Sequence, residues 1–221
     1  MVPPRVRLMG SGRGWVSTVA GMTLPADRLA IDGGTPVRDS FPPLGRGAAL
    51  LGDDERAAVL EVLESRSLFR YSGPDLRRKV EAFGAGLRAQ LGVAHAVAVS
   101  SGTAALRAAL AALGVGCGDE VVVPAFTFVA TVNAVVAAGA VPVFAEVDES
   151  LNLDPDSLDA VCTERTAAVM PVHLENVGCE MDRILTVTTA RGLPVIEDTA
   201  QSLGATYRGR KLGTVGDLGA F

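Results

Sequence analysis

The stretch Val195-Ile196-Glu197-Asp198-Thr199-Ala200-Gln201-Ser202-Leu203-Gly204-Ala205, followed by Gly213-Thr214-Val215-Gly216-Asp217-Leu218-Gly219-Ala220-Phe221, decides the fold. It reads as a short apolar strand carrying an acid at its carboxyl end, a turn of small residues, and an approach to a further strand. Successive strand side chains face opposite ways, so Glu197 and Asp198 serve opposite faces. A second device of this kind lies upstream in Val97-Ala98-Val99-Ser100-Ser101-Gly102-Thr103-Ala104-Ala105-Leu106.

Between and before these two, the pattern alternates. Val59, Leu60, Val62 and Leu63 fall at helical spacing after the cap-like acids Asp53 and Asp54. The Gly73-Pro74 pair marks a loop, and a helix is predicted from about Asp75 to Leu91, closed by Gly92. On it, Arg77-Arg78-Lys79 reads as a solvated face. His95 to Ser100 reads as a short buried strand, and Ser101-Gly102-Thr103 opens an alanine-rich helix ending near Gly114. Further strands are expected at Glu120–Val123, Val141–Val147, Ala167–Val172 and Leu193–Glu197, with helices at Thr127–Ala138, Asp156–Cys162 and Asp182–Arg191 between them. Short apolar strands alternating with helices predict an α/β fold: a mostly parallel sheet with helices on both faces.

Composition bounds the partners. A hydrophobic content of 48% with 20% charged residues suits a globular chain with a sizeable core. The formal net charge of −5 argues against nucleic acid, which needs a basic face. The most apolar stretch, Val129 to Val147, is broken by Asn133, Gly139 and Pro142, so no membrane span is expected. Cys117, Cys162 and Cys179 are dispersed, which points to a reducing, cytoplasmic compartment without a disulfide framework. With only His95 and His173 beside them, a metal site is not expected.

Ligands of open parallel sheets bind at the carboxyl ends of strands. Ser101-Gly102-Thr103-Ala104 has that position: Gly102 allows close approach, Thr103 offers a hydroxyl, and amides at a helix start favour a phosphate. Taken alone, the same residues read more readily as a plain cap on an alanine-rich helix. Asp198 could pair with a protonated ring nitrogen, or be a helix cap or a surface salt-bridge partner, and Gln201 could reach a ring oxygen, or be an exposed turn amide. In Pro124-Ala125-Phe126-Thr127-Phe128, an aromatic beyond a strand end could stack on a flat ring, although most phenylalanines are core.

Taken together, these motifs resemble the DegT/DnrJ/EryC1/StrS family of pyridoxal-phosphate-dependent aminotransferases acting on nucleotide-linked sugars and aminocyclitols. Phe69-Arg70-Tyr71-Ser72-Gly73-Pro74, Ser101-Gly102-Thr103, Val123-Pro124-Ala125-Phe126-Thr127-Phe128, Pro142-Val143-Phe144-Ala145-Glu146-Val147-Asp148, Met170-Pro171-Val172-His173-Leu174 and Val195-Ile196-Glu197-Asp198-Thr199-Ala200-Gln201 stand in the family's order. The resemblance covers about residues 29 to 221. It implies a fold-type-I enzyme, a homodimer when complete, that moves an amino group from glutamate or glutamine through pyridoxal 5'-phosphate to a keto-sugar or keto-cyclitol. It further implies that Gly102, Thr103 and Ala104 hold the phosphate, Phe128 stacks, Asp198 pairs with the ring nitrogen and Gln201 touches the ring oxygen; Phe126 is expected in the core.

The resemblance also carries departures. After His173-Leu174 the family usually has glycine two positions on; here Asn176 stands there, a residue that tolerates a left-handed conformation. The family's cofactor-holding lysine follows a few residues past the segment ending at Phe221, and Lys211, the last lysine, is not it. The expectation is therefore an amino-terminal fragment with no catalytic residue of its own, inactive alone. Two alternatives stay open: a sugar dehydratase on the same scaffold, and a non-enzymatic remnant or half of a split protein. By domain, residues 1–21 are expected to be a non-native or disordered extension before a start at Met22. Residues 22–60 would be an arm with the first helix, and 61–221 part of the cofactor-binding large domain.

Overall fold

The computed structural model describes residues 30, 34–36 and 47–221, so the expected extension over 1–21 and the start at Met22 lie outside the described residues. Phe69–Ser72 and Leu76–Phe221 form one compact unit, and the described residues up to Leu68 with Gly73–Asp75 belong to another. In that other unit, α1 (Asp53–Ser65) starts where Glu55 reaches back to accept the Gly52 amide, and ends at left-handed Arg66.

The larger unit opens with α2 (Lys79–Leu91). Then come α3 (Gly102–Ala112), β1 (Glu120–Pro124), α4 (Val129–Ala137), β2 (Val141–Ala145), α5 (Pro155–Val161) and β3 (Thr166–Val169). After them follow α6 (Met181–Arg191), β4 (Ile196–Asp198), the hairpin β5 (Thr206–Tyr207) and β6 (Arg210–Lys211), and β7 (Leu218–Ala220). β1 pairs in parallel with β2 on one side and β3 on the other, and β4 pairs in parallel with β7. Single parallel bridges, Val169 to Val195 and Val172 to Asp198, join the two ladders. The parallel order is thus β2-β1-β3-β4-β7.

Period-two alternation sends each strand into two cores. Val121 and Val123 pack with Leu106 and Leu110 of α3, Ala134 and Val135 of α4, and Ile196 and Ala220. Val122, between them in sequence, joins Val169, Leu158 of α5, and Met181 and Ile184 of α6 on the opposite face. The expected parallel sheet with a helical layer on each face is the observed architecture. Leu110, Leu158 and Ile184 are wholly buried, and each contributes about 2 kcal/mol or more by leaving water.

Two expectations need correction. His95–Ser100 is not a strand: it forms no ladder among the described residues, and Val97 is 76% exposed. Apolar alternation supplies a tendency, but a strand exists only where a neighbour accepts its hydrogen bonds. Here a cleft of about 550 Å³ lies between this segment and the Gly216–Gly219 backbone. The helix expected from Asp75 begins only at Lys79, because Arg78 adopts a left-handed conformation (φ 50°) that an α-helix cannot include. Of Arg77-Arg78-Lys79, only Lys79 is helical, and Arg78 pairs with Glu81 at 2.9 Å.

Candidate functional site

β4 delivers its last two residues to opposite faces, as the alternation requires. Glu197, wholly buried, turns toward the loop before β7, where its carboxylate accepts the amides of Gly213, Val215 and Gly216 at 2.6 to 2.9 Å and faces His173 Nε2. Burial pushes its carboxyl up, but the His173 hydrogen bond and the Gly216 and Gly213 amides outweigh this and hold it below its ordinary range. Asp198 turns toward α4. It is 5% exposed, and each of its oxygens has an anchor: Oδ2 accepts from Thr131 Oγ1 at 2.9 Å, and Oδ1 from the Ala200 amide at 3.2 Å.

The α3 start lies by the end of the neighbouring strand. Ser101, in extended backbone, caps the helix by accepting the Ala104 amide at 3.1 Å. The amides of Gly102 and Thr103 precede the first helical acceptor and point out of the helix end, where the helix dipole favours an anion. A Cβ on Gly102 would meet the Phe221 carbonyl oxygen at an ordinary 3.7 Å, so packing within this chain does not demand glycine there. Of the predicted trio, Ala104 has its amide committed to the cap, leaving Gly102 and Thr103 as free donors.

Phe128 is the residue before α4 and is 66% exposed, so its ring face is open. Phe126 is 52% exposed, which overturns its placement in the core: it follows the carboxyl end of β1, where the strand has already left the sheet. Gln201 Oε1 accepts the Glu175 amide at 3.2 Å, so its NH₂ end is the free donor. Glu175 and Asn176 are both left-handed (φ 50° and 64°), the conformation expected of Asn176 extending to its neighbour.

The sequence reading missed Thr131 and Thr127, whose hydroxyls lie 2.9 Å apart behind Asp198. No local pattern signals the pair, because Thr127 stands before the Phe128 cap, outside the helix that carries Thr131. It also missed the partnership of His173 with Glu197. Chemically, the set offers two amides and a hydroxyl for an anion, an open aromatic face, an anchored carboxylate and an amide donor. Such a set suits a phosphorylated, flat heteroaromatic molecule with a basic ring nitrogen. Among the described residues, no group of three or more His, Cys, Asp or Glu could hold a metal ion, and no helix is long and apolar enough to cross a membrane.

Comparison with known proteins agrees with the motifs. The profile of the DegT/DnrJ/EryC1/StrS aminotransferase family matches residues 50–221. The chain is 47% identical over 173 residues to the spore coat polysaccharide biosynthesis protein SpsC of Bacillus subtilis (strain 168), covering 78% of this chain and 43% of that protein. It is 42% identical over 200 residues to the L-glutamine:2-deoxy-scyllo-inosose aminotransferase of Streptoalloteichus tenebrarius, covering 87% of this chain and 45% of the relative. The solved aminotransferase from Psychrobacter cryohalolentis superposes with a TM-score of 0.72 at 39% identity, over 76% of this chain and 42% of that one. The chain thus spans less than half the length of these relatives. The parallel sheet with its two helical layers is part of the fold-type-I aminotransferase fold.

Proposed function

Because the chain belongs to the DegT/DnrJ/EryC1/StrS aminotransferase family, we propose that it supplies cofactor-binding residues to a pyridoxal-phosphate-dependent aminotransferase. In this reading, an amino group passes from glutamate or glutamine to a keto-sugar or keto-cyclitol, in a homodimer and in the cytoplasm. The observation that carries the reading is Asp198, nearly buried at a strand's carboxyl end with both oxygens anchored. A carboxylate so placed is aimed by its two anchors, which is what a partner for a ring nitrogen needs.

When bound, pyridoxal phosphate supplies an electron sink through its protonated ring. The chain's own residues do the rest. The Gly102 and Thr103 amides and the Thr103 hydroxyl bind the phosphate at the α3 start, with Ala104 helping to shape that turn. Phe128 covers a ring face and limits its tilt. Asp198 holds the proton at the ring nitrogen, and the Gln201 NH₂ donates to the ring oxygen.

Equilibrium dialysis of the chain against pyridoxal 5'-phosphate tests the site. Saturable binding is expected, weakened about tenfold or more in Asp198→Asn through loss of one charge-assisted contact. Binding that Asp198→Asn leaves unchanged, or no saturable binding, would overturn the assignment.

A further inference from the structure

Asp198 cannot set its own carboxylate plane. The terminal torsion of an aspartate is broad, so a carboxylate is aimed only by what bonds to its oxygens. The Ala200 amide holds Oδ1 at 3.2 Å, but it belongs to the same turn and moves with it. The one side chain holding Oδ2 comes from a different element, Thr131 on α4, 67 residues away in sequence and wholly buried. An ionised carboxylate only accepts, so the Thr131 hydroxyl must donate its hydrogen to Asp198. Its lone pairs then accept from Thr127 Oγ1, 2.9 Å away. The direction of the chain is therefore set by chemistry: Thr127 to Thr131 to Asp198, each bond polarising the next.

We propose that Thr131 is a positioning residue of this site, with Thr127 behind it. It holds the Asp198 carboxylate in one plane, so that the remaining lone pairs are available to a protonated ring nitrogen. The proposal rests on the reading of Asp198 as the ring-nitrogen partner. Thr131 is wholly buried and acts through Asp198; its β-branched side chain has few χ1 choices on a helix, which suits it to holding one hydrogen bond. Without its hydroxyl the carboxylate can turn out of that plane, its bond to the ring nitrogen weakens, and the ring loses its proton at lower pH.

The test uses the full 221-residue chain and pyridoxamine 5'-phosphate labelled with ¹⁵N in the ring, a form that needs no covalent attachment. The ring nitrogen's NMR shift is followed against pH. Thr131→Val should lower the pH of half-deprotonation by about one unit, the scale on which a lost hydrogen bond to a charged group acts. Thr131→Ser should restore it, and Thr127→Val should give a smaller shift in the same direction. Asp198→Asn should exceed all three. A purely structural role would weaken binding without moving the midpoint or being rescued by serine. If Asp198→Asn moves the midpoint and Thr131→Val does not, Thr131 has no positioning role. If Asp198→Asn also leaves it unmoved, or the ligand does not bind, the reading of Asp198 falls and the proposal falls with it. Should Thr131→Val fail to fold, Thr127→Val, at a partly exposed position, decides: no shift there overturns the relay.

Discussion

His173 Nε2 lies 2.9 Å from Glu197 Oε2 with both side chains wholly buried, and the Cys179 amide donates to the other ring nitrogen at 3.1 Å. A ring nitrogen that accepts an amide hydrogen carries none of its own, so Nε2 bears the proton and donates it to Glu197. Through that one carboxylate the segment after β3, the end of β4 and the loop entering β7 are tied together, one residue from Asp198. The Ser202 hydroxyl adds a further tie, donating to the His173 carbonyl at 2.6 Å.

Glu197→Leu should therefore destabilise the larger unit by about 3 kcal/mol or more, because two buried amides, the half-buried Gly216 amide and His173 lose their acceptor at once. Urea denaturation measures this. A loss below about 1 kcal/mol would mean that water replaces the carboxylate.

Acid should remove the same contribution. Glu197 is held below its ordinary value of 4.5, so its stabilisation is present above that pH and is lost as pH falls through the lower, folded value. The stability difference between the native chain and Glu197→Gln should be constant from neutral pH to about 5 and shrink below about 4.5. A difference that grows on acidification would reverse the sign of the shift.

Gly219→Ala should be severe, because the added Cβ would stand 2.1 Å from the Gly213 carbonyl oxygen, a backbone atom with no rotamer to escape into. A loss of about 3 kcal/mol is expected from overpacking at the β4–β7 ladder. Gly86→Ala is the control: it lies inside α2 with nothing within 4 Å, and should gain about 0.5–1 kcal/mol. Thermal unfolding of the two variants separates the predictions.

The three thiols should differ sharply toward a disulfide reagent at pH 8. Burial pushes the Cys179 thiol up to about 12 and raises Cys162, whereas Cys117 is exposed. Cys117 should react alone in the native chain, with the other two following only in denaturant. Mass mapping of the labelled peptides checks the order.

Local chemistry made much of this legible. The placement of Glu197 and Asp198 on opposite faces follows from strand geometry alone, the Ser101 cap from residue type, and the left-handed Asn176 from its short polar side chain. The two-faced core follows from Val121, Val122 and Val123 being continuously apolar, as a central parallel strand is. These features depend on residues within one helical turn or one strand of each other.

What the sequence by itself determined is the alternation of strands and helices, the order of the motifs and the end of the sheet at which they gather. Tertiary structure alone decided that His95–Ser100 would not become a strand, since a ladder requires a neighbour that no local pattern contains. It also decided that Thr131, rather than any residue near Asp198, would hold Oδ2. That contact spans 67 residues. Nothing in the identity of a threonine on an apolar helix announces it until the sheet brings α4 against the end of β4. Hydrogen-bond partners buried between elements are set by packing, which sums many weak contacts over the whole fold, and local pattern carries no record of that sum.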